Sequence, residues 1–342
     1  MLKSLRWTAS VITVLTVLAT VGCRDREAAQ QNPRGPAATR TAGRAGGRPR
    51  RPGGTVGAVR TEMKNVIFRI DPEVTLEIRH LRGELVPTHE GEPPWFDDPG
   101  SFVLDIAEGE IAVTAQSMSA LLNRYVFTGK DAPVRDVEIE IVGNHLRQSS
   151  TLQKKVKVRA VLEGDLSATP EGDIRLHPTS IKAEGLPVKG LLDLFDVELD
   201  ELMKTQKSRG VGVEGNDLLL DPERLLPPPR IRGRITAVRI EPGRIVQIFG
   251  GGSPGSRLKP SLPEAANYMF YSGHELSFGK LTMHDSDLQI VDMDPDDPFH
   301  FYLKELQSQL VAGYSKTMPD RGLVAYMPDF DELGKRSATG GR

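Results

Sequence analysis

The sequence predicts an α+β protein dominated by one long, curved and mostly antiparallel β-sheet. Three observations support this prediction: apolar and polar residues alternate along many segments, turn sequences separate these segments, and only a few segments have helical spacing. A strand with such alternation buries one face and exposes the other, as in antiparallel sheets. We expect about a dozen strands, paired mostly as hairpins around one or two amphipathic helices.

The N-terminus has the three parts of an export signal over residues 1–22. Basic residues precede an apolar or small run over residues 8–22, which is shorter than the roughly 20 residues of a membrane span. Cys23, the only cysteine, follows this run, and the sequence TVGC resembles a bacterial lipobox except at Thr20. We therefore predict a signal peptide and a lipid anchor on Cys23, with ordinary cleavage or an uncleaved anchor as alternatives.

A basic, aromatic-free linker follows the cysteine, so that residues 23–60 form the predicted lipidated N-terminus and disordered tether. Residues 24–60 hold nine arginines and only two acidic residues, and they are rich in glycine and proline. Beside a lipid anchor such a tether would lie on an anionic membrane in the cell envelope, facing the periplasm or the exterior. The whole chain carries a net charge of −2 despite this linker, so the body is acidic and we predict no nucleic-acid partner.

The body is predicted to contain a β-rich domain over residues 61–256 and a C-terminal extension over 257–342, with a disordered tail from residue 335. Turn sequences at 143–144, 169–173 and 241–244 connect the predicted hairpins. Residues with period-two alternation predict the strands: Val74, Leu76 and Ile78; Val137, Ile139 and Ile141; Val156, Val158, Ala160 and Leu162; Thr236, Val238 and Ile240.

Three segments break this period and predict helices. Residues 115–127 begin after a possible N-cap at Thr114 or Ser117 and carry an apolar stripe formed by Met118, Leu121, Leu122 and Tyr125. Residues 186–205 carry a similar stripe formed by Leu191, Leu192, Phe195, Leu199, Leu202 and Met203. Residues 299–315 are a third, weaker candidate. If these helices pack on the concave sheet and leave a channel, it will be lined with apolar side chains and accept lipid; full packing is the alternative.

The motifs of common catalytic and cofactor sites are incomplete or absent in this sequence. The GGGSPG sequence at 250–255 has dinucleotide spacing, but prolines follow where a helix should begin, so we favour a loop. The DMDPDDP sequence at 292–298 lacks the glycine and glutamate of an EF-hand, which favours an acidic turn over a calcium site. No G-x-S-x-G sequence occurs.

Two further segments each allow a structural and a functional interpretation. His274 and His284, with nearby acidic residues, could form a metal site, although surface histidines are favoured. The segment PPWFDDPGSF at 93–102 places Trp95 and Phe96 among prolines. We favour a loop whose aromatic residues close one end of the core over a mobile lid or a membrane-dipping tip.

The segment order over residues 102–249 resembles the LmeA-like secreted proteins, which are placed near the tubular lipid-binding (TULIP-type) superfamily. The resemblance rests on the succession of IAVTAQSMSALLNRYVF, GNHLRQSSTL, TPEGDIRLHPTSIKAEGLPVKGLLDLF, GVGVEGNDLLLDPERLL and GRITAVRIEPGRIVQIF. It implies a half-barrel sheet wrapped around a helix, with an apolar tunnel for an acyl chain. It does not extend to the C-terminal region.

These observations lead to three hypotheses of function. The first is a non-catalytic envelope lipoprotein, without a cofactor, that binds or transfers a lipid or an acylated glycolipid. Its predicted ligand-lining residues are Met118, Leu121, Leu122, Tyr125, Leu191, Leu192, Phe195 and Leu199. The second is a structural or assembly lipoprotein that binds a protein partner. The third is a metal-dependent enzyme that uses His274, His284 and nearby aspartates.

Overall fold

The computed structural model describes residues 57–130, 132, 134–153, 157–183, 210–253, 255, 257–279, 281–319 and 322–333. The predicted signal peptide, Cys23, the linker to residue 56, the predicted helix over 186–205 and the predicted tail lie outside these residues. All the described residues belong to one unit of the chain, which spans residues 51–342.

Eleven strands form the first sheet, which curls into a half-barrel. They are β1 (Val59–Asp71), β2 (Val74–Pro87), β3 (Phe102–Thr114), β10 (Arg230–Gly233), β11 (Ile235–Glu241), β12 (Arg244–Phe249), β13 (Tyr268–Phe278), β14 (Leu281–Asp292), β15 (Phe299–Tyr302), β16 (Tyr314–Thr317) and β17 (Leu323–Met327). Their order is β11-β12-β3-β2-β1-β13-β14-β17-β16, with β10 beside β3 and β15 beside β1. Most neighbours are antiparallel, and β1–β15, β3–β10 and β14–β17 are parallel.

Strand β1 lies at the centre of this sheet. One of its edges pairs with β2, which follows it in the chain. Its other edge is divided, because residues 60–64 pair with β13 and residues 66–69 pair with β15. Strands that follow residue 257 therefore complete the sheet that the first strands of the body begin.

Six antiparallel strands form the second sheet, in the order β4-β5-β6-β7-β9-β8. They are β4 (Val134–Val142), β5 (His145–Gln153), β6 (Lys157–Ala168), β7 (Ile174–Ala183), β8 (Val211–Glu214) and β9 (Asp217–Leu220). One face of this sheet carries apolar side chains and the other is polar, because buried and exposed positions alternate along β4 and β6. A mostly β architecture with few helices is therefore confirmed, but the prediction of one long sheet is wrong, because the strands form two sheets.

The predicted alternation is confirmed along β2, where Val74, Leu76 and Ile78 are all buried. It fails in β11, where Thr236 is exposed while Ile235 is buried. The pairing of β11 with β12 is irregular between Ile235 and Ala237. A bulge of this kind inserts one residue and reverses the inward and outward positions that follow, which sequence alternation alone does not reveal.

The three predicted turns are confirmed between β4 and β5, between β6 and β7, and between β11 and β12. In the second of them, Gly172 has a φ of 107°, a conformation that favours glycine. The Thr169 hydroxyl oxygen accepts hydrogen bonds from the backbone N–H of Gly172 and of Asp173, at 3.3 and 3.1 Å. Turn chemistry therefore sets these hairpins locally.

The helices of the described part are short. They are α1 (Ala115–Leu121), which continues as a π-helical turn over Leu122–Val126, α2 (Pro222–Leu225) and α3 (Leu306–Ala312), with 3₁₀ turns at Leu303–Glu305 and Phe330–Glu332. The predicted first helix is confirmed, and the Thr114 hydroxyl caps it by accepting from the backbone N–H of Ser117 at 3.1 Å.

The third predicted helix, over residues 299–315, is wrong over its first four residues and over its last two, which begin strand β16. Residues 299–302 form strand β15, and Phe299 and Phe301 point into the core on the same face. Their period-two spacing is a strand signal, and the helical stripe begins only after it. Pairing with β1, more than 200 residues away in sequence, fixes this segment as a strand.

The segment at 93–102 closes the core of the first sheet through Phe96. The Phe96 side chain is 1% exposed, and its ring centroid lies 4.9 to 6.3 Å from four others. The neighbouring Trp95 is 49% exposed. The backbone N–H of Phe96 donates to the Ser277 carbonyl oxygen at 2.9 Å, which holds the segment against β13. The predicted core-closing role is therefore confirmed for Phe96.

Candidate functional site

Helix α1 and the π-helical turn that continues it connect the two sheets through side chains that bond to strand backbones. Toward the first sheet, the Ser117 hydroxyl oxygen accepts from the backbone N–H of Thr75 in β2 at 3.2 Å. Toward the second sheet, the Asn123 amide donates to the Val137 carbonyl at 2.7 Å and accepts from its N–H at 2.9 Å. The Ser119 hydroxyl oxygen accepts from the Ile139 N–H at 2.8 Å. These bonds cover the free edge of β4 and fix the orientation of the apolar stripe on α1.

An apolar opening in the described residues, which we call the main cavity, lies between α1 and the apolar face of the second sheet. Its volume is about 110 Å³. Its described lining is apolar except at two positions, and no charged side chain contributes to it. These residues are Met118, Leu122, Phe127, Val134, Ile139, Leu146, Gln148, Ser150, Leu152, Ala160, Leu162, Leu166, Ile174, Leu176, Ile181, Val211, Leu218, Leu220 and Ile245.

A second opening, the minor cavity, lies between α1, α2 and the first sheet and has a volume of about 30 Å³. Met118, Ile174 and Leu220 line both cavities, so they form the wall between them. Methionine has three rotatable bonds and adapts to irregular spaces. A change in the rotamer of Met118 is therefore the smallest movement that would join the two cavities.

The structure brings three of the predicted lining residues to these cavities. Met118 and Leu122 line the main cavity, and Met118 and Leu121 line the minor one. Tyr125 lines neither, because its side chain leaves the stripe toward the end of β1. The other four predicted positions lie outside the described residues: Leu191, Leu192, Phe195 and Leu199.

Tyr125 instead belongs to a polar group at the turn between β1 and β2. Its hydroxyl donates to the carboxylate of Asp71, which is 1% exposed and also accepts from the backbone N–H of Glu73 and Val74. Burial opposes ionisation of Asp71, but these hydrogen bonds and the nearby Arg124 guanidinium outweigh it and lower the pKa of Asp71. Burial and the bond to Asp71 raise the pKa of Tyr125 to about 12.

Tyr125→Phe is expected to lower the free energy of unfolding by about 1–3 kcal/mol, because a buried carboxylate loses a hydrogen-bond donor. Urea unfolding checks this expectation, with Tyr314→Phe at the exposed edge strand β16 as the control. Lipid uptake should be unchanged, since Tyr125 lines neither cavity. A loss of uptake at unchanged stability would contradict this placement of the side chain.

Two residues of the main cavity, Gln148 and Ser150, were not predicted from the sequence. They lie on β5 in phase with Leu146 and Leu152, which also line the cavity. Because side chains two residues apart share one face of a strand, the inward phase of the two leucines was a signal that could have identified them. They supply the polar groups of the described lining.

Three aspartates come together where β14 and β17 end. Carboxylate oxygens of Asp292, Asp297 and Asp329 lie within 4.8 Å of one another, and Asp292 and Asp329 are buried. The Asn267 amide donates to Asp292 at 3.0 Å, and the backbone N–H of Asp294 donates to it at 2.9 Å. Burial raises the pKa of Asp292 to about 7, although these hydrogen bonds oppose the shift and the charge of Asp329 adds to it. The predicted acidic turn is therefore partly buried, because Asp292 lies in the interior beside Asp329.

The raised pKa of Asp292 gives stability a definite pH dependence. The folded chain retains a proton that the unfolded chain releases near its ordinary pKa of 3.8, so the free energy of unfolding falls as pH rises from about 4 to about 7. We expect wild type to lose stability relative to Asp292→Asn between pH 5 and pH 8, measured by urea unfolding. Asp296→Asn, at an exposed position of the same turn, is the control. A constant difference between wild type and Asp292→Asn would contradict the expectation.

The two histidines considered for a metal site each pair with a different acidic residue across the β13–β14 hairpin. His274 Nδ1 lies 2.7 Å from Asp285, and His284 Nδ1 lies 3.8 Å from Glu275. Both histidines are well exposed. Within the described ranges, neither belongs to a group of three side chains that could hold one metal ion.

No family model, curated protein or solved structure matches this chain significantly. Among the described residues, no helix has the length and apolar character needed to cross a membrane. The case for a function therefore rests on the geometry of the chain itself, in which the main cavity is the most developed apolar site.

Proposed function

We propose that this protein binds the acyl chain of a lipid or acylated glycolipid in the main cavity, without covalent catalysis. The observation that supports this proposal is the cavity wall, where apolar side chains from α1 and the second sheet surround space that a packed core would fill. Apolar walls with a few placed polar groups are typical of small-molecule sites. The absence of charged side chains from the described lining favours an apolar occupant.

The size of the main cavity defines how much ligand it accommodates. A volume of about 110 Å³ corresponds to roughly seven to eleven water positions, which suits part of an acyl chain. The minor cavity lies directly behind the wall that contains Met118. A longer chain would therefore extend past a displaced Met118 side chain.

The sequence context is consistent with this function. A TULIP-type half-barrel is the finer fold description that we propose, on the basis of the resemblance to LmeA-like proteins and the curled sheet. A lipid anchor on Cys23 and the basic linker would hold the body at an anionic membrane of the cell envelope, close to its ligands. Such an arrangement suits binding or transfer of a lipid.

The first test is native mass spectrometry of the full chain carrying Cys23→Ser, purified without detergent and then extracted with organic solvent. The substitution ensures that any bound lipid is not the chain's own anchor. A lipid that copurifies at near-stoichiometric amount and is removed by extraction is the expected result. A protein that is empty and also takes up no fluorescent acyl probe would contradict the proposal.

A structural or assembly role has one observation in its favour. Strand β16 forms an edge of the first sheet; Tyr314 at its start is 47% exposed, and Val311 in the preceding helix α3 is 84% exposed. Exposed apolar side chains near a free strand edge are typical of protein contacts. Val311→Asp would weaken a partner contact of this kind and leave lipid uptake unchanged, which separates the two functions.

A further inference from the structure

Two polar side chains of β5, Gln148 and Ser150, interrupt the apolar wall of the main cavity. We infer that they form a hydrogen-bonding subsite that selects lipids with an uncharged ester or hydroxyl group over lipids that end in a free carboxylate. This inference rests on the proposed lipid-binding function and names the class of lipid that the cavity takes.

The strands beside β5 offer these side chains no hydrogen-bonding partner. Gln148 is paired with Ile139 of β4 and with Leu162 of β6, and Ser150 is paired with Ala160. These three neighbours also line the cavity and have no polar side-chain atoms. Within the described part of the chain, neither Gln148 nor Ser150 makes a side-chain hydrogen bond. Both side chains therefore direct unused hydrogen-bonding capacity into the cavity.

The burial of Ser150 makes this capacity significant. Its side chain lies on the buried face of the sheet and the residue is 6% exposed. The Ser150 residue lines the cavity, and a bound group that hydrogen-bonds to its hydroxyl gains the energy of that bond. The Gln148 amide, two residues away on the same face, adds both donors and an acceptor. Together they favour a ligand with a polar group along its chain.

The charge of the wall decides which polar group fits. A carboxylate that entered the main cavity would lose its hydration, and no cationic side chain of the described lining would replace it. An ester carbonyl needs only a donor, which the Ser150 hydroxyl or the Gln148 amide provides. A lipid hydroxyl can also donate to the amide oxygen of Gln148. The subsite is therefore matched to neutral lipids, including acylglycerols and acylated sugars.

Competition binding tests this selectivity with the full chain carrying Cys23→Ser. The fluorescent probe is N-phenyl-1-naphthylamine, which is uncharged, and the competitors are monolauroylglycerol, sucrose monolaurate and laurate at pH 8. All three competitors carry the same chain, so differences report on the polar group. We expect the esters to bind about tenfold more tightly than laurate, and the comparison of the two esters identifies the preferred alcohol.

Variants then connect the preference to the two side chains. Gln148→Leu combined with Ser150→Ala should bind the ester and the carboxylate with equal affinity. Ser150→Thr, which keeps the hydroxyl, should retain the preference and guards against a folding defect. Ser149→Ala, on the opposite face of β5, is the matched control and should match wild type.

The outcomes separate the inference from the function on which it rests. A wild-type chain that binds ester and carboxylate equally, or a double variant that keeps the preference, would overturn the subsite. A wild-type chain that binds neither the probe nor any competitor would instead overturn lipid binding in the main cavity.

Discussion

Phe96→Ala is expected to lower the free energy of unfolding by about 3–5 kcal/mol, because it removes a buried ring from the core of the first sheet. Phe96 contacts the ring of Phe102 in its own segment and three rings that come from distant segments, Tyr271, Phe278 and Phe301. Its removal leaves a cavity that these rings cannot fill without leaving their own packing positions. The segment around residue 96 therefore acts as part of the core, although it has little regular structure.

Urea unfolding followed by circular dichroism measures this loss, with Trp95→Ala as the matched control. Trp95 is the next residue and larger, yet half of its surface is in solvent, so its loss should cost less than Phe96→Ala. A larger cost for Trp95→Ala than for Phe96→Ala would show that the exposed indole, and not the buried ring, holds the segment.

Ala160→Phe is expected to decrease the affinity for an acyl probe by about tenfold or more, while the protein stays folded. Ala160 is a small residue on β6 that faces the main cavity, beside Ser150 on one side and Ala183 on the other. A phenylalanine there directs its ring into space that is now empty, and aromatic residues are well tolerated in strands. The ligand and the ring would compete for the same volume.

The matched control is Val161→Phe, because the next residue of β6 points to the polar face of the sheet. Probe binding should be unchanged in this variant, and thermal unfolding should show both variants folded. Binding that survives Ala160→Phe would place the ligand elsewhere, whereas unfolding of Ala160→Phe alone would mean that the cavity is too small to accept added atoms.

Local chemistry explains which parts of the fold could be predicted from the sequence. The alternation along β2 and β6, the turn at Gly172 and the cap at Thr114 each depend on residues within a few positions of one another. Such patterns determine which face of a strand is buried and where a helix begins. They do not determine which strands become neighbours.

The features that the sequence did not reveal depend on long-range pairing. Residues 299–302 contain only one period of alternation, and their strand conformation comes from contact with β1. The division into two sheets, with α1 between them, likewise depends on bonds such as that from Thr75 to Ser117. Pairings of this kind are set by the packing of the whole body, for which a single sequence carries no local signal.

The candidate site shows the same difference between local patterns, which the sequence reveals, and long-range contacts, which it does not. The helical stripe identified Met118, Leu121 and Leu122 at the cavities, because an apolar face of a helix must be buried. It did not show that the hydroxyl of Tyr125 finds a carboxylate at the end of β1, which removes that side chain from the cavity wall. The apolar stripe on the helix also carries no information about Gln148 and Ser150, which lie on the facing strand β5.

The divided edge of β1 has a consequence for how this chain reaches its native state. The Asn65 amide donates to the Asn267 side-chain oxygen at 2.6 Å across 202 residues of sequence, so the centre of the first sheet has a very high contact order. Until the segments that contain β13 and β15 are synthesised, β1 presents an unpaired edge that can recruit other chains. The earliest strand of the body is thus completed late, and shielding it during synthesis is the step at which folding and aggregation compete.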